Sequence, residues 1–179
     1  MVSTEIANYV RALLGDENKI LIPSDALIYL SLNNLQRKWM LEYHVKKTSK
    51  DYTMTTATVY DMDASINKLL KVECSASEDF EYSYDNNSHK LTVVNGLLSG
   101  STFKVWYYAK PVTTISASVD PELPDDYKEL LVEAYLSAFR DKYPSFRKLE
   151  DINKDVENLS LQLRGRDRFQ TVMLGEVDF

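Results

Sequence analysis

A chain of 179 residues, 44% hydrophobic and 27% charged, can bury a core without metal or disulfide staples and is too ordinary in composition for intrinsic disorder. Its single cysteine, Cys74, excludes a disulfide framework and a cysteine-rich zinc site, and no apolar run is long enough to span a membrane. A net charge of −6 lacks the Lys and Arg surplus that wholesale nucleic-acid binding needs, and five scattered glycines build no phosphate-cradling loop.

The opening MVSTEIANYV has neither the basic start nor the apolar stretch of a signal peptide, so a protein made in the cytoplasm is expected. The Asn-x-Ser matches at Asn86 and Asn158 then carry no meaning. A first helix is predicted from Thr4 to Leu14, where Ile6, Val10, Leu13 and Leu14 form one stripe and Gly15 stops it. A second starts after Pro23 with Ser24 or Asp25 as its cap, repeats Ile28, Leu32, Leu35 and Trp39 on one face, and fades near His44. From about Asp51 to Ser118 the period becomes two. Val72 and Cys74, then Phe80, Tyr82 and Tyr84, then Leu91 and Val93, then Phe103, Val105 and Tyr107 alternate with polar residues, and Asp85 to Ser88 supply a turn. Five or six antiparallel strands in a sheet or sandwich are expected.

Helix returns at Pro124, with acids in its first turn, Arg140 and Lys142 at its end, and Tyr127, Leu131, Ala134 and Ala138 as its buried stripe. A last helix carries Leu149, Ile152, Val156, Leu159 and Leu163 at alternating spacings of three and four, a heptad seam that should lie along a partner helix. Gly165 is expected to end it. The fold class expected is therefore α+β: a four-helix bundle with an antiparallel β-sandwich-like module inserted between helices 2 and 3, and an extended C-terminal tail. The divisions are 1–50 for the first two helices, 51–118 for the β-module, 119–164 for the last two helices and 165–179 for the tail.

Residues that carry chemistry are scarce. His44 and His89 lie 45 positions apart in polar surroundings, without metal-ligand spacing. Cys74, mid-strand between Glu73 and Ser75, reads as a packed core sulfur. Asp61-Met62-Asp63 opens like a calcium loop, but Ile66 and Val72 stand where glycine and a bidentate glutamate are needed. The acidic run Asp120–Glu129 reads as helix capping and solvation. Trp106, Tyr107 and Tyr108 cannot all face one way in a strand, so at least one is core. No active site, no metal site and no cofactor site is recognised, and the protein is expected not to be an enzyme.

The order of parts is more informative. Two helices, the second introduced by Ile22-Pro23-Ser24-Asp25-Ala26-Leu27, precede a β-region ending in Val105-Trp106-Tyr107-Tyr108-Ala109-Lys110-Pro111; then follow a Thr/Ser spacer, Asp120-Pro121-Glu122-Leu123-Pro124-Asp125-Asp126-Tyr127, an alanine-bearing helix and a final helix. This arrangement resembles the head-to-tail connector (adaptor, or gatekeeper) proteins of tailed bacteriophages, particularly those of short-tailed phages. The resemblance implies a structural virion protein of the neck, made in the host cytoplasm, forming a dodecameric ring of identical subunits under the capsid portal protein and lining a channel for double-stranded DNA. It implies the next tail protein, a nozzle or stopper, as a further partner, and no membrane. It also implies that the C-terminal segment reaches the portal. Arg164, Arg166 and Arg168 suit carboxylates of such a partner, and Phe169, Met173, Leu174 and Phe179 are apolar residues that want burial there. Two other classes stay open: a non-catalytic carbohydrate- or protein-binding module using the aromatic β-region, and an enzyme using carboxylates such as Asp61 and Asp63.

Overall fold

A computed structural model describes residues 3–76, 79–96 and 98–173, with side chains as far as Arg164. The helices are α1 (Ser3–Leu14), α2 (Asp25–Glu42), α3 (Lys128–Leu136), flanked by 3-10 turns at Asp125–Tyr127 and Ser137–Phe139, and α4 (Leu149–Met173). The strands are β1 (Lys47–Thr53), β2 (Val59–Asp61), β3 (Ile66–Glu73), β4 (Glu81–Asp85), β5 (Lys90–Asn95) and β6 (Thr102–Ala109). The chain divides into two compact units, Met1–Val45 with Thr113–Phe179, and Lys46–Val112.

In the helical unit, α1 buries Ile6, Val10 and Leu14 and ends at Gly15, whose φ of 62° takes the left-handed step a helix terminus favours. The Asp16 N–H bonds back to the Arg11 carbonyl at 2.9 Å and closes that terminus. Ser24 caps α2, its side chain accepting the Ala26 N–H. Asp120 does the same for α1 from across the sequence: its Oδ1 accepts the Ser3 N–H at 2.7 Å and the Ser3 hydroxyl at 2.8 Å. Those bonds hold the Asp120 carboxyl below the usual carboxylate range. Segment 115–122 is clamped to α2. Asn33 exchanges bonds with both backbone groups of Ile115, and Gln36 accepts the Glu122 N–H at 2.7 Å. The acidic run is thus partly built into the fold, with Asp120 on Ser3, Glu122 on Thr113 and Asp125 on Lys128.

The class is α+β, but a four-helix bundle carrying a sandwich is not the architecture. α3 is nine residues long, about 13 Å at 1.5 Å per residue, too short to run beside helices of 18 and 25 residues. It is instead a central stub on which α1, α2 and α4 each pack. Its predicted stripe holds at Tyr127, Leu131 and Ala134, whereas Ala138 lies past its end and is exposed. The heptad seam is also only partly enclosed: Ile152 and Val156 are fully buried, Leu159 and Leu163 half-buried, and Leu149 exposed. A short α3 cannot cover a seam of four turns. Ile152→Ala should therefore cost roughly 2–5 kcal/mol and Leu159→Ala distinctly less. Urea denaturation reads both, and equal losses would place Leu159 in the core after all.

The expected extended tail is also corrected, because α4 continues through Gly165 to Met173. A lone glycine costs a helix about 1 kcal/mol, and the good helix formers Arg164, Arg166, Arg168 and Gln170 around it offset that.

The second unit holds two three-stranded antiparallel sheets, ordered β1-β6-β3 and β2-β5-β4. β2 has only three residues and pairs with β5, in a different sheet from β1 and β3, so two small three-stranded sheets stand in place of the expected sandwich. Phe103 of β6 is completely buried, stacked on Tyr52 and Phe80 and edge-on to Tyr60. The Tyr84 hydroxyl reaches His89 Nδ1 at 2.9 Å, while His89 itself takes a left-handed φ of 52° in the β4–β5 turn. Cys74 lies just beyond β3 and is half-buried, not a core sulfur, because the strand has ended before it.

Candidate functional site

Three features of the structure have the makings of a site. The first is a buried ion cluster between α1 and α2. Arg11 is 4% exposed and donates to Asp25 Oδ1 from both Nε (2.8 Å) and Nη2 (2.5 Å), and from Nη1 to Asp16 Oδ2 and the Ile22 carbonyl (2.9 Å each). Asp16 also accepts the N–H groups of Leu21 (2.7 Å) and Ile22 (2.9 Å). Burial pushes the Asp16 carboxyl up, but those backbone donors and the Arg11 charge outweigh it and hold it below its ordinary value. Asp25 is held down chiefly by its bond to Arg11. Arg11 and Asp16 are buried and their bonds run to the chain itself, while Asp25 is partly exposed and also meets Lys19 at 3.4 Å, so the cluster's work is to fix the α1–α2 loop.

The second feature is the outer face of β1-β6-β3. Trp106 lies half-buried with Lys47, Lys71 and Lys104 over its ring at 5.3, 5.7 and 5.8 Å, and its indole N–H donates to Glu73 at 2.6 Å. Register places Lys47, Tyr108 and Lys68 on this same face, beside Ser49, Trp106 and Lys71. Tyr107 and Tyr108 are buried. The lysine ammonium groups thus take up the ring as cation–π partners, which competes with stacking by a flat ligand.

The third is an apolar groove of about 430 Å³ between α2 and the end of α3, lined by Ser31, Asn34, Leu35, Ala134, Tyr135, Ser137, Ala138 and Leu149. Leu30 and Leu27, earlier on α2, are 59% and 50% exposed. Helical spacing puts Leu27, Leu30, Ser31 and Asn34 on one face, separate from the buried stripe of Ile28, Leu32 and Trp39.

Of the residues expected to meet a portal, Arg164 turns inward. Its guanidinium bonds Ser160 Oγ at 2.8 Å and the Tyr43 carbonyl at 3.4 Å, an orphan carbonyl just past the C-terminus of α2. Arg166, Arg168, Phe169 and Met173 fall on the α4 backbone, and their side chains lie outside the described residues, as do Leu174 and Phe179 entirely. Asp61 is strongly exposed, with Lys90 at 4.0 Å, and Asp63 pairs with Lys50 at 2.8 Å. The Lys50 bond and the Ser65 N–H bring the Asp63 carboxyl down to about 2. Among the described residues no group of His, Cys, Asp and Glu is placed to hold a metal ion. No helix among them is long and apolar enough to cross a membrane. No family model and no curated protein matches this chain.

Proposed function

We propose that this protein is a head-to-tail adaptor of a tailed bacteriophage, a structural ring subunit seated between the portal protein and the next tail component. The observation that carries this reading is the segregation of charge. The unit 46–112 contains eight lysines and eight carboxylates and is neutral, so the helical unit holds the entire net charge of −6. Helical units of that sign, set side by side around a channel, repel DNA phosphates and let the duplex slide past. The neutral β-unit then serves contacts to the next tail protein, and the C-terminal part of α4, with Arg166, Arg168, Phe169 and Met173, serves the portal.

Rings assembled on a template gain lateral strength from shared docking, so the free protein should be monomeric or weakly associated. Truncation after Arg164 keeps the bonds of that residue to Ser160 and Tyr43. It should leave the melting temperature nearly unchanged and abolish co-sedimentation with purified portal rings. Capture of the truncated chain at undiminished affinity would sink the C-terminal anchor, and failure of the full chain to bind portal would sink the adaptor.

A further inference from the structure

The groove between α2 and α3 is lined by uncharged residues, and two of them flank a basic connector. Ala138 and Leu149 line it, and the connector between them carries Arg140, Lys142, Arg147 and Lys148 against the single acid Asp141. Arg147 is engaged with Glu133 and Asp155, while Arg140, Lys142 and Lys148 are exposed. Glu150 and Asp151 follow Leu149 on α4, but the ten residues between Ala138 and Leu149 carry a net charge of +3. An apolar groove bordered in sequence by that connector suits an occupant that is apolar and acidic at once.

The chain contains such a segment. Leu174-Gly175-Glu176-Val177-Asp178-Phe179 offers three large apolar side chains and two carboxylates with no base among them. It follows α4, whose 25 residues carry the chain about 36 Å from the groove end at Leu149. Six residues span at most about 20 Å even when fully extended. A segment that starts at the far end of α4 therefore cannot return to the groove beside its own Leu149.

We propose that the groove lined by Leu35, Ala138 and Leu149 receives the segment Leu174–Phe179 of a second copy of this chain, with Glu176 and Asp178 meeting Arg140 and Lys148. The contact joins different surfaces of the two copies, so it repeats head to tail and closes into a ring where the rotation allows. Its biological setting rests on the adaptor reading, and it gives Leu174 and Phe179 a sibling subunit in place of the portal.

A fluorescently labelled peptide of residues 171–179, titrated with the full-length chain, tests this by anisotropy. Saturable binding is expected, weakened about tenfold or more by Ala138→Glu, by Leu149→Glu and by the pair Arg140→Glu and Lys148→Glu, and weakened by added salt. All four positions are exposed, which protects the fold of the variants. Full-length Ala138→Glu mixed with a chain truncated after Met173 should form a one-to-one pair in sedimentation velocity and nothing larger. Absence of saturable peptide binding, equal binding by Ala138→Glu, or a mixture that stays monomeric where the peptide binds would each overturn the assignment. Portal co-sedimentation separates the two readings. Capture without peptide binding removes this contact alone, and peptide binding without capture removes the adaptor alone.

Discussion

Replacing Arg11 with alanine is expected to lower stability by about 3–5 kcal/mol, because it strips Asp16 of its cation in a site where that side chain is 1% exposed. The backbone donors of Leu21 and Ile22 remain, and they keep Asp16 charged but not neutralised. Arg11→Met together with Asp16→Asn should recover part of the loss, since a neutral pair leaves no buried charge behind. Asp16 and Asp25 have depressed folded-state values, so their contribution is complete above the unfolded carboxylate range near 3.9 and fades as pH falls through the lower folded values. Arg11→Ala should flatten that acid limb. Urea denaturation at pH 7 and near pH 3 measures both effects. A loss under about 1 kcal/mol at pH 7 would show that the cluster contributes little and that the loop is held by Ile22 and Leu14.

Phe103→Ala is expected to cost a similar ~3–5 kcal/mol, but in the other unit. Its ring is fully buried against Tyr52, Tyr60 and Phe80, on the strand both β1 and β3 pair with. The chain has two tryptophans, Trp39 in the helical unit and Trp106 in the β-unit, so each unit carries its own fluorescent reporter. In single-tryptophan backgrounds, Phe103→Ala should move the Trp106 transition more than the Trp39 transition, and Arg11→Ala the reverse. Coincident shifts of both reporters in both variants would make the two units one cooperative body.

The start of the fold was legible because local chemistry dominates it. Gly15 and Ser24 end and begin helices by backbone and side-chain bonds made within a few residues. The alternation of Phe103, Val105 and Tyr107 likewise identified a core face from one strand alone. What pairs with what was not legible. Nothing in β2 says that it belongs with β5, since register depends on partners thirty positions away. Heptad spacing shows that a helix has an apolar seam but not how long its partner is, and α3 stops after nine residues. Gly165 misled for the opposite reason: a residue that often ends helices does so only when its neighbours do not favour continuing. The groove is not legible in the sequence because its walls come from α2, α3 and the start of α4, residues about a hundred positions apart that only the fold brings together. Arg11 had one signal, an arginine between Val10 and Leu14 on a buried face with acids at 16 and 25 downstream.

The β-unit begins and ends on one rung of a ladder. Lys47 pairs with Tyr108, and the Ala109 N–H bonds the Lys46 carbonyl at 2.9 Å. This has a consequence for the order of folding during synthesis. Residues 46–112 are contiguous and can complete their sheets while the ribosome is still making α3, whereas α1 and α2 must wait for the core that α3 supplies. Closing the β-unit first brings residues 46 and 109 together, so that a loop of some seventy residues no longer has to be closed by the helical unit. The late helices then find α1 and α2 already close by, with most of the loop-closure entropy spent beforehand.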